Sequence, residues 1–132
     1  MRRTFRADPT ELSEIRTFVR ERAAEAGLAE HRSADIVLAV SEACANAILH
    51  SGTDELTIDW DIEDDRIVVT IRDNGVFRRR VPMPEVEGVG GHGIPLMMAL
   101  VDGIEIREGT SEHPGTLVRL TVRDGRSSSI AS

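Results

Sequence analysis

Glu42, Asn46 and His50 recur every fourth residue along the stretch Ile36 to His50. In an α-helix, residues i and i+4 stand one above the other, so these three form a line on one face, with Asp35 near the same stripe. A carboxylate one turn above a carboxamide can serve as a general base beside a magnesium ligand, provided a phosphate-binding loop lies elsewhere in the chain. Gly88-Val89-Gly90-Gly91-His92-Gly93 has the composition of such a loop. Glycine lets backbone approach a ligand closely, and the helix start expected just after it presents free amides to anions. A third stretch, Asp73-Asn74-Gly75, places an aspartate where an alternating segment ends. Its carboxylate could accept a hydrogen bond from an exocyclic amine such as that of adenine, with Gly75 letting the base lie against the backbone.

Each stretch also has a purely structural reading. Glu42 and Asn46 could be satisfied polar groups on a buried helix. Asn-Gly after alternating apolar residues is a hairpin signal, although Val76-Phe77-Arg78-Arg79-Arg80 does not make an alternating partner strand. The glycine run could be a flexible linker. It matches G-x-G-x-x-G, but a proline-containing loop precedes it instead of the strand that a dinucleotide site requires.

Composition narrows the chemistry. The chain contains no lysine, which excludes a Walker lysine, a Schiff base and a protein-kinase glycine loop with its downstream lysine. A phosphate site must then use backbone amides, a metal or arginine. A net charge of -7 argues against general nucleic-acid binding. The four histidines lack metal-ligand spacing, so zinc is not expected, and no G-x-S-x-G motif supports a hydrolase triad. The single Cys44 has apolar neighbours; it suits a packed core thiol and a reducing, cytoplasmic setting. No apolar run reaches the length of a membrane span, and the basic Met1–Phe5 has no apolar segment behind it as a signal peptide would.

The elements that must position these residues follow from periodicity. A length of 132 residues fits one domain, expected over 1–124 with a disordered tail over 125–132. Residues 2–7 alternate weakly, as a short strand would. Asp8-Pro9-Thr10-Glu11 reads as a helix start with Asp8 as N-cap and Glu11 at the capping-box position. Leu12, Ile15, Val19, Ala23 and Ala26 then keep helical spacing as far as a stop at Gly27. A second helix runs from about Ala29 or Arg32 to His50. It is apolar on most sides, with Leu38, Ala45 and Leu49 outside the main stripe, and is therefore expected to be largely buried. Leu56, Ile58, Trp60 and Ile62 alternate on a strand with one buried face, and Asp64-Asp65 turns the chain into a second strand carrying Ile67, Val69 and Ile71. After an aperiodic stretch over 76–92 come a short helix from Ile94 to Val101, a strand beginning at Ile104 and Ile106, and a strand carrying Val118, Leu120 and Val122. The order predicts a two-layer α+β sandwich.

Glu42-x-x-x-Asn46-Ala47-x-x-His50, Asp73-x-Gly75, Gly91-x-Gly93 and Gly115-Thr116, in this order, resemble the four nucleotide-binding boxes of the histidine-kinase-like (GHKL) ATPases. Val40 to Ala47 and Gly91 to Asp102 look most like the anti-sigma-factor serine/threonine kinases within that superfamily. The resemblance covers about Asp8 to Val122. It implies a Bergerat-type fold, a mostly antiparallel mixed sheet covered on one face by three helices. It implies ATP and Mg2+ as cofactors. Asn46 would be the magnesium ligand and Glu42 the general base. Asp73 and Gly75 would hold adenine, and Thr116 would sit nearby and support Asp73. Gly91 and Gly93 would give amides to the phosphates with His92 between them. Residues 76–92 would be a lid whose Arg78, Arg79 and Arg80 approach the phosphates. The implied activity is phosphorylation of an anti-sigma-factor antagonist by a dimeric protein that also sequesters a sigma factor. Two other readings remain: a non-catalytic ATP-gated binding module, and a plain α+β interaction domain.

Overall fold

Helical spacing before residue 50 and alternation after residue 55 become one layer of helices and one sheet. The computed structural model describes residues 1–50, 53–74, 100–108 and 115–123. In chain order these form β1 (Arg2–Arg6), a 3-10 turn (Pro9–Glu11), α1 (Leu12–Glu25), α2 (Glu30–His50), β2 (Glu55–Glu63), β3 (Arg66–Asp73), β4 (Gly103–Glu108) and β5 (Thr116–Arg123).

Local chemistry explains the boundaries. The Asp8 carboxylate accepts from the Thr10 amide at 3.0 Å and caps the 3-10 turn that leads into α1. The reciprocal half of a capping box does not form, because the Asp8 amide donates instead to the Arg6 carbonyl. At the other end Gly27 takes φ 76°. Its amide reaches the Ala24 carbonyl and the Leu28 amide reaches the Ala23 carbonyl, the paired bonds of a Schellman stop. Asp64, at φ 53°, turns β2 into β3.

The five strands lie in the order β1-β2-β3-β5-β4. Every pairing among them is antiparallel, so the described sheet lacks the parallel pair expected of a mixed one. The connectivity explains this. The chain leaves β1, goes out along α1 and comes back along α2, and so enters β2 opposite in direction to β1. β4 does run parallel to β3, but β5 lies between them.

One face of the sheet carries the core. Phe5, Leu56, Ile58, Trp60, Ile67, Val69, Ile71, Leu120 and Val122 pack against Ile15, Phe18 and Val19 of α1 and Ile36, Val40, Ala43 and Cys44 of α2. Burial of α2 is one-sided, contrary to the expectation from its composition: Leu38 is 43% and Leu49 67% exposed. Among the described residues, the sheet covers one side of α2 and α1 one flank, and Leu38 and Leu49 lie on the remaining side. The buried face of β2 also stops at Trp60, since Ile62 is 61% exposed. Two α-helices lie within the described residues; the third expected one falls outside them except at its C-terminal end, and so does the expected tail.

At the start of α2, Arg32 donates to Asp102 Oδ2 at 2.6 Å, and the Arg123 amide donates to the same oxygen at 2.7 Å. This cluster fastens the helix to the junction before β4 and to the end of β5. Partial burial opposes ionisation of Asp102, but the Arg123 amide and the Arg32 guanidinium outweigh it and hold the carboxyl below its ordinary value. A depressed carboxylate pKa contributes stability that is present above the unfolded-state value and lost as pH falls through the folded-state value. Asp102→Asn is therefore expected to cost about 1 kcal/mol at neutral pH, after discounting for the exposure of the pair. In urea melts across pH, the gap between wild type and variant should close as the solution is acidified below the carboxylate range; a gap independent of pH would contradict this account.

Candidate functional site

The two ends of α2 determine which end of the sheet its polar line faces. Arg32, near the helix start, is tied to Asp102 and to the Arg123 carbonyl, at the end where β5 finishes. The helix finishes at His50, and β2 begins at Glu55. A connection this short brings the C-terminal half of α2, with Glu42 and Asn46, to the end where β2 begins. The antiparallel register puts the end of β3 and the start of β5 there too, because Leu56 pairs with Asp73 and Arg72 with Leu117. The sheet thus gathers Asp73 and Thr116 at the end toward which Asn46 points along the chain.

Asp73 projects from the helix-covered face, in phase with Ile67, Val69 and Ile71. It is only 7% exposed. The Thr116 amide donates to its Oδ1 at 3.1 Å. Thr116 therefore supports Asp73, and it does so through its backbone. Gly115 precedes it at φ +121°, with its Cα so close to Asp73 that a Cβ would collide with the Asp73 carbonyl oxygen. The hairpin reading of Asp73-Asn74-Gly75 fails on the register. β3 already has β2 on one side and β5, which begins only at Thr116, on the other, so a strand directly following residue 75 has no free edge of β3 to pair with.

Sequence reasoning missed a second set of contacts at this spot. The Asn74 amide donates to Thr53 Oγ1 at 2.9 Å, and the Asp54 amide donates to Asn74 Oδ1 at 3.3 Å. Thr53 Oγ1 lies 2.7 Å from the Glu55 carbonyl, to which its hydroxyl can donate. Asn in Asp73-Asn74-Gly75 could have been read as a side chain that closes a turn. Thr53, whose partner is 21 residues away, has no such signal.

Glu42 and Asn46 are each half-buried on α2. Glu42 borders a groove of ≈ 750 Å³ between the two helices, lined also by Arg16, Arg20, Leu38 and Ser41. Arg16 Nε donates to Ser41 Oγ at 3.1 Å, beside Glu42. Cys44 is fully buried, and burial pushes its thiol up to about 12, so it is a packing residue and no nucleophile. Gly75, Gly91, His92 and Gly93, with Arg78 to Arg80, lie outside the described residues.

Comparison with known proteins adds the family. Residues 5–122 match the family described as "Histidine kinase-like ATPase domain". Among solved structures, the chain is similar to that of the RsbU and RsbW domains of Rv1364c from Mycobacterium tuberculosis. The TM-score is 0.69 at 26% identity, covering 93% of this chain and 32% of that one. It also shares its fold with the histidine kinase domain of the blue-light activated histidine kinase EL346 from Erythrobacter litoralis, at TM-score 0.55 and 20% identity, covering 75% of this chain and 48% of that one. The chain thus spans half or less of each of these two structures. No curated protein sequence matches it.

The grip on Asp73 from the β5 side makes a direct prediction. Gly115→Ala adds a Cβ at a left-handed φ and drives it into the Asp73 carbonyl, so it should destabilise the fold by about 1–3 kcal/mol. A urea melt reads this; an unchanged midpoint would show that the close approach of Gly115 to Asp73 is not maintained.

Proposed function

The chain belongs to the histidine kinase-like ATPase family, and on that premise we propose that it is an ATP-dependent serine/threonine kinase of the anti-sigma-factor type. Its substrate would be a hydroxyl of an anti-sigma-factor antagonist, and in the alternate state it would hold a sigma factor as a homodimer in the cytoplasm. The observation that carries the reading is the buried Asp73 carboxylate, fixed by the Thr116 amide at the sheet end to which Asn46 is delivered. The stretches Val40 to Ala47 and Gly91 to Asp102, together with the similarity to the Rv1364c structure, support the anti-sigma assignment.

The donor set suits the nucleotide. An ionised carboxylate is acceptor-only and can take several donors, so Asp73 would accept the adenine amine, with Gly75 against the base. Asn46 would supply the protein's ligand to magnesium, which favours few protein ligands and keeps water. The bound ion would supply charge neutralisation at the phosphates. Gly91 and Gly93, flanking His92, would give backbone amides to the phosphate oxygens, a role that falls to backbone in a chain without lysine. Glu42 would take the proton of the acceptor hydroxyl as its oxygen bonds to the γ-phosphorus and the bond to the ADP oxygen breaks. The groove that Glu42 borders gives an acceptor segment a way in.

That same groove favours a second reading, an ATP-gated binding module without transfer, in which Glu42 contacts a partner instead of acting as a base. Transfer of labelled phosphate to the antagonist separates the two. The kinase reading expects Glu42→Gln to slow transfer by about 10²–10⁴-fold while leaving nucleotide affinity near that of wild type. Transfer at the wild-type rate by Glu42→Gln removes Glu42 as base, and no labelled product from wild type favours the gated module.

A further inference from the structure

The Asp73-Asn74 dipeptide is held from two sides, and only one of them involves a residue that the nucleotide site itself would use. On the β5 side are the Thr116 amide and the close backbone of Gly115. On the β2 side is Thr53, 9% exposed and just ahead of β2. Its Oγ1 accepts the Asn74 amide at 2.9 Å and lies 2.7 Å from the Glu55 carbonyl. The Asp54 amide meets Asn74 Oδ1 at 3.3 Å, so both the backbone and the side chain of Asn74 are engaged by residues 53 and 54. This anchor is itself fixed, since the Ala7 amide at the end of β1 donates to the Asp54 carbonyl at 2.9 Å. β1, the start of β2 and the end of β3 therefore converge on the peptide that follows Asp73.

We propose that Thr53 is a positioning residue that sets base selectivity by fixing the carboxylate of Asp73 through Asn74. The proposal rests on the nucleotide-binding reading above. A carboxylate held in one place can accept from the 6-amino group of adenine. Guanine presents a carbonyl at that position, which repels it, and offers donors only from the adjacent N1 and N2. A carboxylate free to shift or rotate can reach those donors, so adenine selectivity requires the carboxylate to be held still. The Thr116 amide holds one carboxylate oxygen, and the anchor at Asn74 restrains the backbone behind it. Outer contacts of this kind commonly alter ligand affinity 10–100-fold when removed.

Thr53→Val keeps the shape of the side chain and removes the hydroxyl, while Thr53→Ser restores it. The affinities of wild type, Thr53→Val and Thr53→Ser for Mg·ATP and Mg·GTP, measured by calorimetry, test the proposal. Thr53→Val is expected to weaken ATP binding about tenfold and GTP binding much less, so that the ATP-to-GTP affinity ratio falls several-fold. Thr53→Ser should return the ratio to near the wild-type value. A residue with a merely structural role would lower the melting temperature and leave the ratio of the folded protein unchanged. If Thr53→Val does not fold, Asn74→Ala, which removes the side-chain contacts with the Thr53 hydroxyl and the Asp54 amide but keeps the Asn74 amide's bond to Thr53, should lower the ratio in the same direction. An unchanged ratio in wild-type-like binders overturns the role of Thr53 and leaves the ATP site standing. Failure of the wild-type protein to bind either nucleotide overturns both.

Discussion

The place of α2 on the sheet is the constraint on which the rest depends. Ile36, Val40 and Cys44 of this helix are fully buried against a sheet face built from Leu56, Ile58, Ile67, Val69, Ile71, Leu120 and Val122. Each such side chain is worth about 1.5–3 kcal/mol when taken out of water, so turning the helix by even one residue would forfeit several of them. The direction in which Glu42 and Asn46 point is thus fixed by apolar residues with no chemical role. Sliding along the axis is resisted at the other end, where Arg32 is bound to Asp102 and to the Arg123 carbonyl.

The site at the far end relies on backbone as much as on side chains. Asp73 is oriented by the Thr116 amide, and its neighbour Asn74 by Thr53 and the Asp54 amide. All of these donors are neutral. Contacts of this kind position a carboxylate that, on the proposed reading, would accept a ligand's amine. In a protein with net charge -7 and no lysine, phosphate binding would fall to amides, a metal and arginine.

Much of this was legible in the sequence because it is written in local spacing. The four-residue recurrence of Glu42, Asn46 and His50, the alternation in Leu56–Ile62 and Ile67–Ile71, the cap at Asp8 and the stop at Gly27 each involve neighbours a few residues apart. The order of the short boxes pointed to the family as a whole. What was not legible depends on contacts between distant residues. The weak alternation of residues 2–7 did suggest β1, but not its partners, the pairing of Phe5 with Leu56 and its packing on Phe18. Thr53 with Asn74, and Arg32 with Asp102, have no spacing to reveal them. The exposure of Leu38 and Leu49 depends on which side of α2 the sheet and α1 cover, which a periodic pattern does not encode. The ambiguity of Asp73-Asn74-Gly75 was resolved only by a register in which β3 has both edges occupied.

On the proposed reading, α2 and the end of β3 together form a magnesium-dependent ATP site. The measurement that tests it most directly is a thermal melt of the wild-type chain and of Asn46→Ala with magnesium alone, ATP alone, and both. At a hundred times its dissociation constant, Mg·ATP should stabilise wild type by about 2.7 kcal/mol, a clear rise in melting temperature for a domain of this size. This rise should need both components and disappear in Asn46→Ala. A wild-type melt unmoved by millimolar Mg·ATP, or an equal rise in Asn46→Ala, would contradict that reading.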